Sequence, residues 1–321
     1  MKRGLVIGKF MPVHYGHVAL IDFAESHCDE LIVSMSYTDR DPIAPAIRLD
    51  WLRMIHKNST KVTIELVKDD FDDESLPLDE RTRIWAQFIA KRFPKIDIVF
   101  SSESYGKPFA THLSAESVSF DPERKLFPVS AIQIRECPFE YWKYIPAVVR
   151  PYFVKKICFY GPESTGKTEM AKRMAAHYKT EFVPEVAREM ITSNDFALND
   201  IIKIGQAQTY LINEKSKSAN KLLFCDTDLI TTQIYSKHYL KEVPSVLYDL
   251  EEQIQYDKYF LFDIDVPWVP DGLRDLGDRR MEMAAIFKSE LKKRAIPYVL
   301  ISGTWEERFA QIKTEVDKFL I

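Results

Sequence analysis

The stretch GKFMPVHYGH, residues 8–17, follows the apolar run GLVI at residues 4–7 and carries two of the chain's seven histidines three positions apart. A short apolar run, then a glycine-bounded loop, then the helical pattern HVALIDFAESH predicts a strand, a tight turn and a crossover helix. His14 and His17 fall at that strand-to-helix turn, with His17 opening the helix. Imidazoles there can donate hydrogen bonds to a phosphate, and the helix dipole supports an anion at the same end. Nothing in the loop is a nucleophile, so its expected chemistry is positioning and charge stabilisation, with an incoming phosphate as attacker. Zinc is disfavoured, because two histidines need a third ligand and no Cys or acid is suitably spaced.

The same alternation runs outward from this loop. ELIVSMS, KVTIELV and IDIVFSS read as strands, separated by the helical patterns IRLDWLRMIHKN and RIWAQFIAKRF. Strand and helix in alternation predict a mainly parallel sheet covered by helices. The second half repeats the theme with KICFYG, TEMAKRMAAHY, TEFVPE, LLFCDTD, YFLFDID and PYVLIS. The last helix is expected to turn Phe309, Ile312, Val316 and Leu320 to one face. Between the halves lies CPFEYWKYIPAVVRPYF, rich in prolines and aromatics and without a period, which reads as a packed connector with a boundary near residues 151–155. The expected architecture is therefore α/β with two domains, 1–152 and 153–321.

GPESTGKT, residues 161–168, fits G-x-x-x-x-G-K-[ST] at Gly161, Gly166, Lys167 and Thr168, between a strand and an amphipathic helix. Backbone N–H groups of such a loop, Ser164 and Thr165 included, turn toward ATP phosphates. Lys167 would reach the β- and γ-phosphates, and Thr168 would ligate Mg²⁺. Asp226, ending the strand LLFCD, is the expected second metal ligand at the sheet's carboxyl edge; Asp228 suits either the acceptor site or a helix cap. Glu185 and Arg188 in VPEVAR could hold acceptor hydroxyls. Arg274, Arg279 and Arg280 in DGLRDLGDRR could form a lid, and Trp268 and Trp305 could stack on a flat ring.

The bulk numbers exclude more than they specify. With 321 residues, 46% hydrophobic and 29% charged, the chain is globular. A net charge of −4 lacks the basic excess of a protein that coats nucleic acid. Cys28, Cys137, Cys158 and Cys225 are scattered, with no Cys-x-x-Cys pair, which suggests reduced thiols in a cytoplasmic protein. No segment approaches the ~18 apolar residues of a membrane span.

GKFMPVHYGH resembles the H-x-G-H signature of nucleotidyltransferases, and VSAIQIR at 129–135 resembles their second signature, I-S-x-T-x-x-R. With GPESTGKT, PEVAR, DTD and DVPWVPDGLRDLG, the chain from about residue 3 to 315 resembles the bifunctional NadR-type proteins. The resemblance implies a Rossmann-like nucleotidyltransferase domain followed by a P-loop kinase domain. The kinase half would phosphorylate nicotinamide riboside with ATP and Mg²⁺. The first half would join the resulting nicotinamide mononucleotide (NMN) to the AMP portion of ATP, giving NAD and pyrophosphate. It further implies that His14, His17 and Arg135 act on the ATP phosphates. Gly8, Lys9, Phe10, Arg48 and Ser130 would surround nucleotide, Trp85 would stack on nicotinamide, and Trp268 and Trp305 would hold the ring in the kinase half. Asp226 and Glu185 both stand as proton acceptor. Ile132 departs from the pattern where Thr is usual. Because the first strand begins by residue 3, the helix-turn-helix of longer relatives is expected to be absent, and with it nucleic-acid binding; whether the chain forms homo-oligomers stays open. Two rivals are a kinase whose first half only binds NAD or NMN, and a nucleotide sensor that uses the P-loop as a switch.

Overall fold

The alternation of the sequence becomes two parallel sheets in the computed structural model, which describes residues 1–191, 195–269 and 276–320. The chain divides into the units Met1–Arg150 and Pro151–Ile321. In the first unit the elements are β1 (Arg3–Gly8), α1 (Tyr15–Ser26), β2 (Glu30–Tyr37), α2 (Pro45–Ile55), β3 (Val62–Lys68), α3 (Leu78–Arg92), β4 (Ile98–Ser101), α4 (Gly106–Leu113), β5 (Glu116–Ser119) and α5 (Ala131–Glu136). The sheet order is β3-β2-β1-β4-β5, with every pair parallel. The winding reverses at β1, so a crevice opens between the carboxyl ends of β1 and β4, where ligands bind in open α/β sheets. Helices cover both faces, which is why Leu5, Val6, Leu31 and Val33 are all fully buried in unbroken apolar runs.

The second unit contains β6 (Lys155–Tyr160), α6 (Lys167–Tyr178), β7 (Glu181–Val183), α7 (Ala187–Met190), α8 (Leu198–Ser218), β8 (Leu222–Asp226), α9 (Leu229–Leu240), α10 (Val246–Gln253), β9 (Lys258–Phe262), α11 (Arg280–Lys293), β10 (Tyr298–Ile301) and α12 (Trp305–Asp317). Its sheet is also parallel, in the order β10-β9-β6-β8-β7. The pleat of β6 serves two cores. Ile157 and Phe159 pack with Met170, Met174, Ile312 and Val316 on one face, while Cys158 and Tyr160 meet Ile230, Met283 and Phe287 on the other.

Three details differ from the sequence reading. β5, ESVS, is a polar and largely exposed edge strand, so it carries no apolar run to betray it. α12 ends at Asp317, which leaves Leu320 packed against the core from beyond the helix. The connector holds two short 3-10 turns, Trp142–Tyr144 and Arg150–Tyr152, and buries Trp142, Ile145 and Val149. The cysteines are free, with Cys137 alone exposed. Among the described residues, no helix is long and apolar enough to cross a membrane.

Gly4 shows how tightly the first sheet is built. A Cβ there would lie 2.9 Å from Cys28 Sγ, 2.9 Å from the Phe100 ring and 3.1 Å from Leu31. Three buried neighbours on different elements leave no direction of relief. Gly4→Ala is expected to destabilise the first unit by about 1–3 kcal/mol, read as a lower urea midpoint; an unchanged midpoint would show that this packing is slack.

Candidate active sites

The first site grows from the turn between β1 and α1. His14 caps α1: its Nδ1 accepts from the Gly16 N–H at 3.1 Å, while the His17 Nδ1 accepts from the His14 N–H at 3.4 Å. A ring nitrogen that accepts carries no proton, so in each neutral imidazole the hydrogen sits on Nε2. The rings stack with centroids 3.7 Å apart, an arrangement two cations would resist. Burial and Arg124 bring the His14 pKa down to about 4, and burial, His14 and Arg124 hold His17 well below its ordinary value. The pair therefore presents two neutral N–H donors rather than two charges.

These histidines line a cleft with Gly8, Lys9, Phe10, Ser130, Ile132 and Arg135. The second signature does open a helix. Ser130 caps α5 in a reciprocal box with Gln133, which turns the first turn of α5 to the same cleft. Ile132 is 56% exposed there. Arg135 is tied to the Met11 carbonyl and so braces the histidine loop from the other signature. Arg124, which the sequence reading missed, also lines the cleft and pairs with Glu103 at 2.7 Å. Its loop is shaped by Asp121, whose carboxylate accepts the N–H groups of Lys125, Leu126 and Phe127. Such a loop has no motif to find it by.

One expectation for this unit changes. Arg48 is fully buried, paired with Asp41 at 2.6 Å and donating to the carbonyls of Lys9 and Ser36. It fixes the Lys9 backbone from behind and does not line the cleft. Trp85 does line a cavity, with Phe71, Phe88 and Tyr105, and this cavity shares Gly8 and Lys9 with the histidine cleft. The indole is held by Nε1 donating to Asp72 at 3.0 Å and by Arg81 lying over the ring.

The second site sits where β6 runs into α6. Gly166 has φ +85°, and a Cβ there would lie 2.6 Å from the Trp305 ring, so only glycine fits this turn. Lys167 is buried and donates to the Pro162 carbonyl at 2.8 Å; burial lowers its pKa. The register Phe159↔Asp226 sets the end of β8 beside the strand that feeds the loop. Thr168 Oγ1 donates to Asp226 Oδ2, whereas Asp226 Oδ1 is buried without a partner. Burial, then Glu185, push the Asp226 pKa up to about 6. Arg308, 1% exposed, holds the loop from below through the Thr165 carbonyl at 2.8 Å and is itself paired with Asp265.

Two hollows meet at Arg188. One is lined by Ser164, Thr165, Gly166, Lys167, Thr168, Val266, Pro267 and Trp305. The other is lined by Glu163, Glu185, Phe196, Gln208, Thr227, Tyr235 and Tyr239. Glu185 pairs with Arg188 at 2.7 Å. The aromatic trio Phe196, Tyr235 and Tyr239 was not singled out in the sequence; Tyr235 and Tyr239 lie on α9, where aromatics read as core, and Phe196 precedes α8. Trp305 belongs to the loop-side hollow, not to the one around Glu185. Asp228 is a helix cap: it accepts from Thr231 N–H and Oγ1 and from Tyr259 Oη at 3.0 Å, which uses it fully and keeps it out of either hollow. The expected arginine lid separates into its members. Arg279 pairs with Glu282 on an outer surface. Arg280 opens α11, donates to the carbonyls of Val266 and Ser164, and lies over Trp268. Arg274 lies outside the described residues.

The neutral histidines give a pH signature. The unfolded chain takes up a proton on His14 near pH 6.5, whereas the folded chain refuses it until about pH 4. Stability from this group is thus complete above the unfolded pKa and is lost as pH falls through that window, by about 3 kcal/mol. Urea midpoints of the first unit should fall over this range, and His14→Asn should flatten the fall; an equal slope in the variant would contradict a buried neutral His14.

The chain was compared with known proteins. Residues 156–308 match a family model described as an AAA domain. The trifunctional NAD biosynthesis/regulator protein NadR of Escherichia coli (strain K12) is 32% identical over 95% of this chain and 80% of its own length. Two crystal structures of NadR protein share the fold. One, in complex with NR, has a TM-score of 0.81 at 21% identity over 99% of this chain and 96% of that one. The other, in complex with NAD and AMP-PNP, has a TM-score of 0.80 at 22% identity over the same shares. With identity along nearly its whole length, this chain belongs to the NadR family of NAD biosynthesis/regulator proteins.

Proposed function

We propose that the chain is a bifunctional enzyme of NAD biosynthesis. Its second unit phosphorylates nicotinamide riboside to NMN with ATP, and its first unit transfers the adenylyl group of ATP to NMN, giving NAD and pyrophosphate. The observation that supports this reading is that each unit has its own glycine-bounded cleft at its own sheet's carboxyl edge. One is built on neutral histidines and the other on a buried lysine. Family membership supports it, as do the nicotinamide riboside, NAD and ATP analogue bound by the structurally similar NadR proteins.

In the first unit the Nε2–H groups of His14 and His17, with Lys9, Arg124 and Arg135, would surround the ATP phosphates. The NMN phosphate attacks the α-phosphorus and pyrophosphate leaves. Neutral donors suit this step, because they strengthen as charge develops without binding the ground state as tightly as cations would. In the second unit Lys167 would swing from the Pro162 carbonyl to the β- and γ-phosphates. Thr168 and Asp226 fit Mg²⁺: a hydroxyl lies against a carboxylate whose other oxygen is buried and unpartnered. Mg²⁺ there would supply charge neutralisation at the phosphates, with water and phosphate completing its shell. Asp226 being so engaged, Glu185 is the better proton acceptor, since it lines the aromatic hollow where the riboside hydroxyl would enter.

Incubation with nicotinamide riboside, ATP and Mg²⁺ tests the reading: NAD is expected, NMN alone would mean a single kinase, and no product would favour a sensor. The activities should also separate by mutation. Lys167→Ala is expected to abolish riboside phosphorylation and spare NAD synthesis from supplied NMN, and His17→Ala to do the reverse. Loss of both activities in a folded Lys167→Ala protein would sink the two-site scheme.

Ile132 supplies a graded test. Its exposed side chain stands in the histidine cleft where the family signature has a hydroxyl. A missing hydrogen bond to a charged oxygen costs roughly 1.5–3 kcal/mol, or about ten- to a hundredfold in rate. Ile132→Thr is expected to raise adenylyl transfer and leave the kinase unchanged. A lower or equal rate would show that this position does not meet phosphate.

A further inference from the structure

Glu185, the proton acceptor in the kinase reading proposed above, stands on a segment that its own local structure holds poorly. It follows β7, an edge strand of three residues, and precedes α7, a helix of four. Neither is long enough to fix a side chain by itself, for a helix that short is unstable without tertiary support. The support comes from α8, which is 21 residues long. Ile201, Ile204 and Ile212 bury one face of that helix, and Gln208 lies on the same face, 1% exposed.

Gln208 Oε1 accepts the Val186 N–H at 2.9 Å, and its Nε2 donates to the Pro184 carbonyl at 3.2 Å. One amide thus grips the main chain on both sides of Glu185. The two bonds also fix which way the amide is turned, because a backbone N–H only donates and a carbonyl only accepts. We infer that Gln208 is a positioning residue of the second unit: by clamping Pro184 and Val186 it holds the Glu185 carboxylate at the riboside hydroxyl. Glu185 lines the hollow with Phe196, Tyr235 and Tyr239, and it acts electrostatically on both Lys167 and Asp226. There it takes the hydroxyl proton as that oxygen bonds to the γ-phosphorus of ATP and ADP leaves. Gln208 lines the same hollow, but its amide is engaged with main chain, so its effect passes through Glu185 rather than through ligand.

Gln208→Met keeps the length of the side chain and removes both bonds. Riboside phosphorylation by the full chain is expected to fall roughly ten- to a hundredfold in kcat, since a small displacement of a catalytic group costs that much, with KM for ATP unchanged. Adenylyl transfer to supplied NMN should keep its rate. In a Glu185→Gln background the same substitution is expected to change kcat by less than about twofold, because the group it positions is gone. Gln208→Asn, one methylene shorter, gives the same comparison should the methionine variant not fold. An unchanged kcat in both variants, an equal fall with and without the Glu185 carboxylate, or a change confined to KM for the riboside would overturn the assignment. A Glu185→Gln chain as active as the wild type would do the same. Should the wild type phosphorylate no riboside, the kinase reading on which the clamp rests falls with it.

Discussion

In a parallel sheet all strands point the same way, so all carboxyl ends lie along one edge, and the crossover helices begin there with unsatisfied N–H groups. Each unit of this chain depends on that constraint. α1 begins beside the ends of β1 and β4, and α6 begins beside the ends of β6 and β8. Both candidate sites lie at these edges, where the backbone has already placed donors suited to an anion, and the side chains refine what the topology supplies.

The refinement takes opposite electrostatic forms. In the first unit, burial holds two stacked imidazoles neutral and the capping box gives both the same tautomer, so orientation does the selecting. In the second, a cation and a carboxylate are both buried close to the loop, with Asp226 left one oxygen short of satisfaction. A buried charge without full compensation is costly in the free protein. A ligand that paired with that oxygen would relieve the cost and so couple its own binding to the stability of the loop.

Rigid support comes from arginines that touch no cleft. Arg48 and Arg308 are among the largest fully buried side chains, and each spends its guanidinium on backbone carbonyls of a glycine-bounded loop or its neighbour. The planar fork lets one side chain bind several acceptors at fixed angles, which lysine could not do. Reading such arginines as phosphate ligands is a natural error, because charge and loop proximity look the same in either role.

What the sequence determined by itself was local: the alternation of apolar strands and helices, the two glycine loops, and the pairing of GKT with a strand ending in Asp226. These follow from near-neighbour periodicity and backbone sterics, which a linear string preserves. What only the tertiary structure decided was where charged and aromatic side chains point. Asp228 became a cap satisfied by Tyr259, thirty-one residues away in the chain. Arg279 turned outward, Trp305 came to lie on Gly166, and Tyr235 and Tyr239, packed against the core, also line a hollow. A polar or aromatic group takes whichever partner the folded chain brings within about 3 Å, and that partner is set by sheet order rather than by its neighbours in sequence.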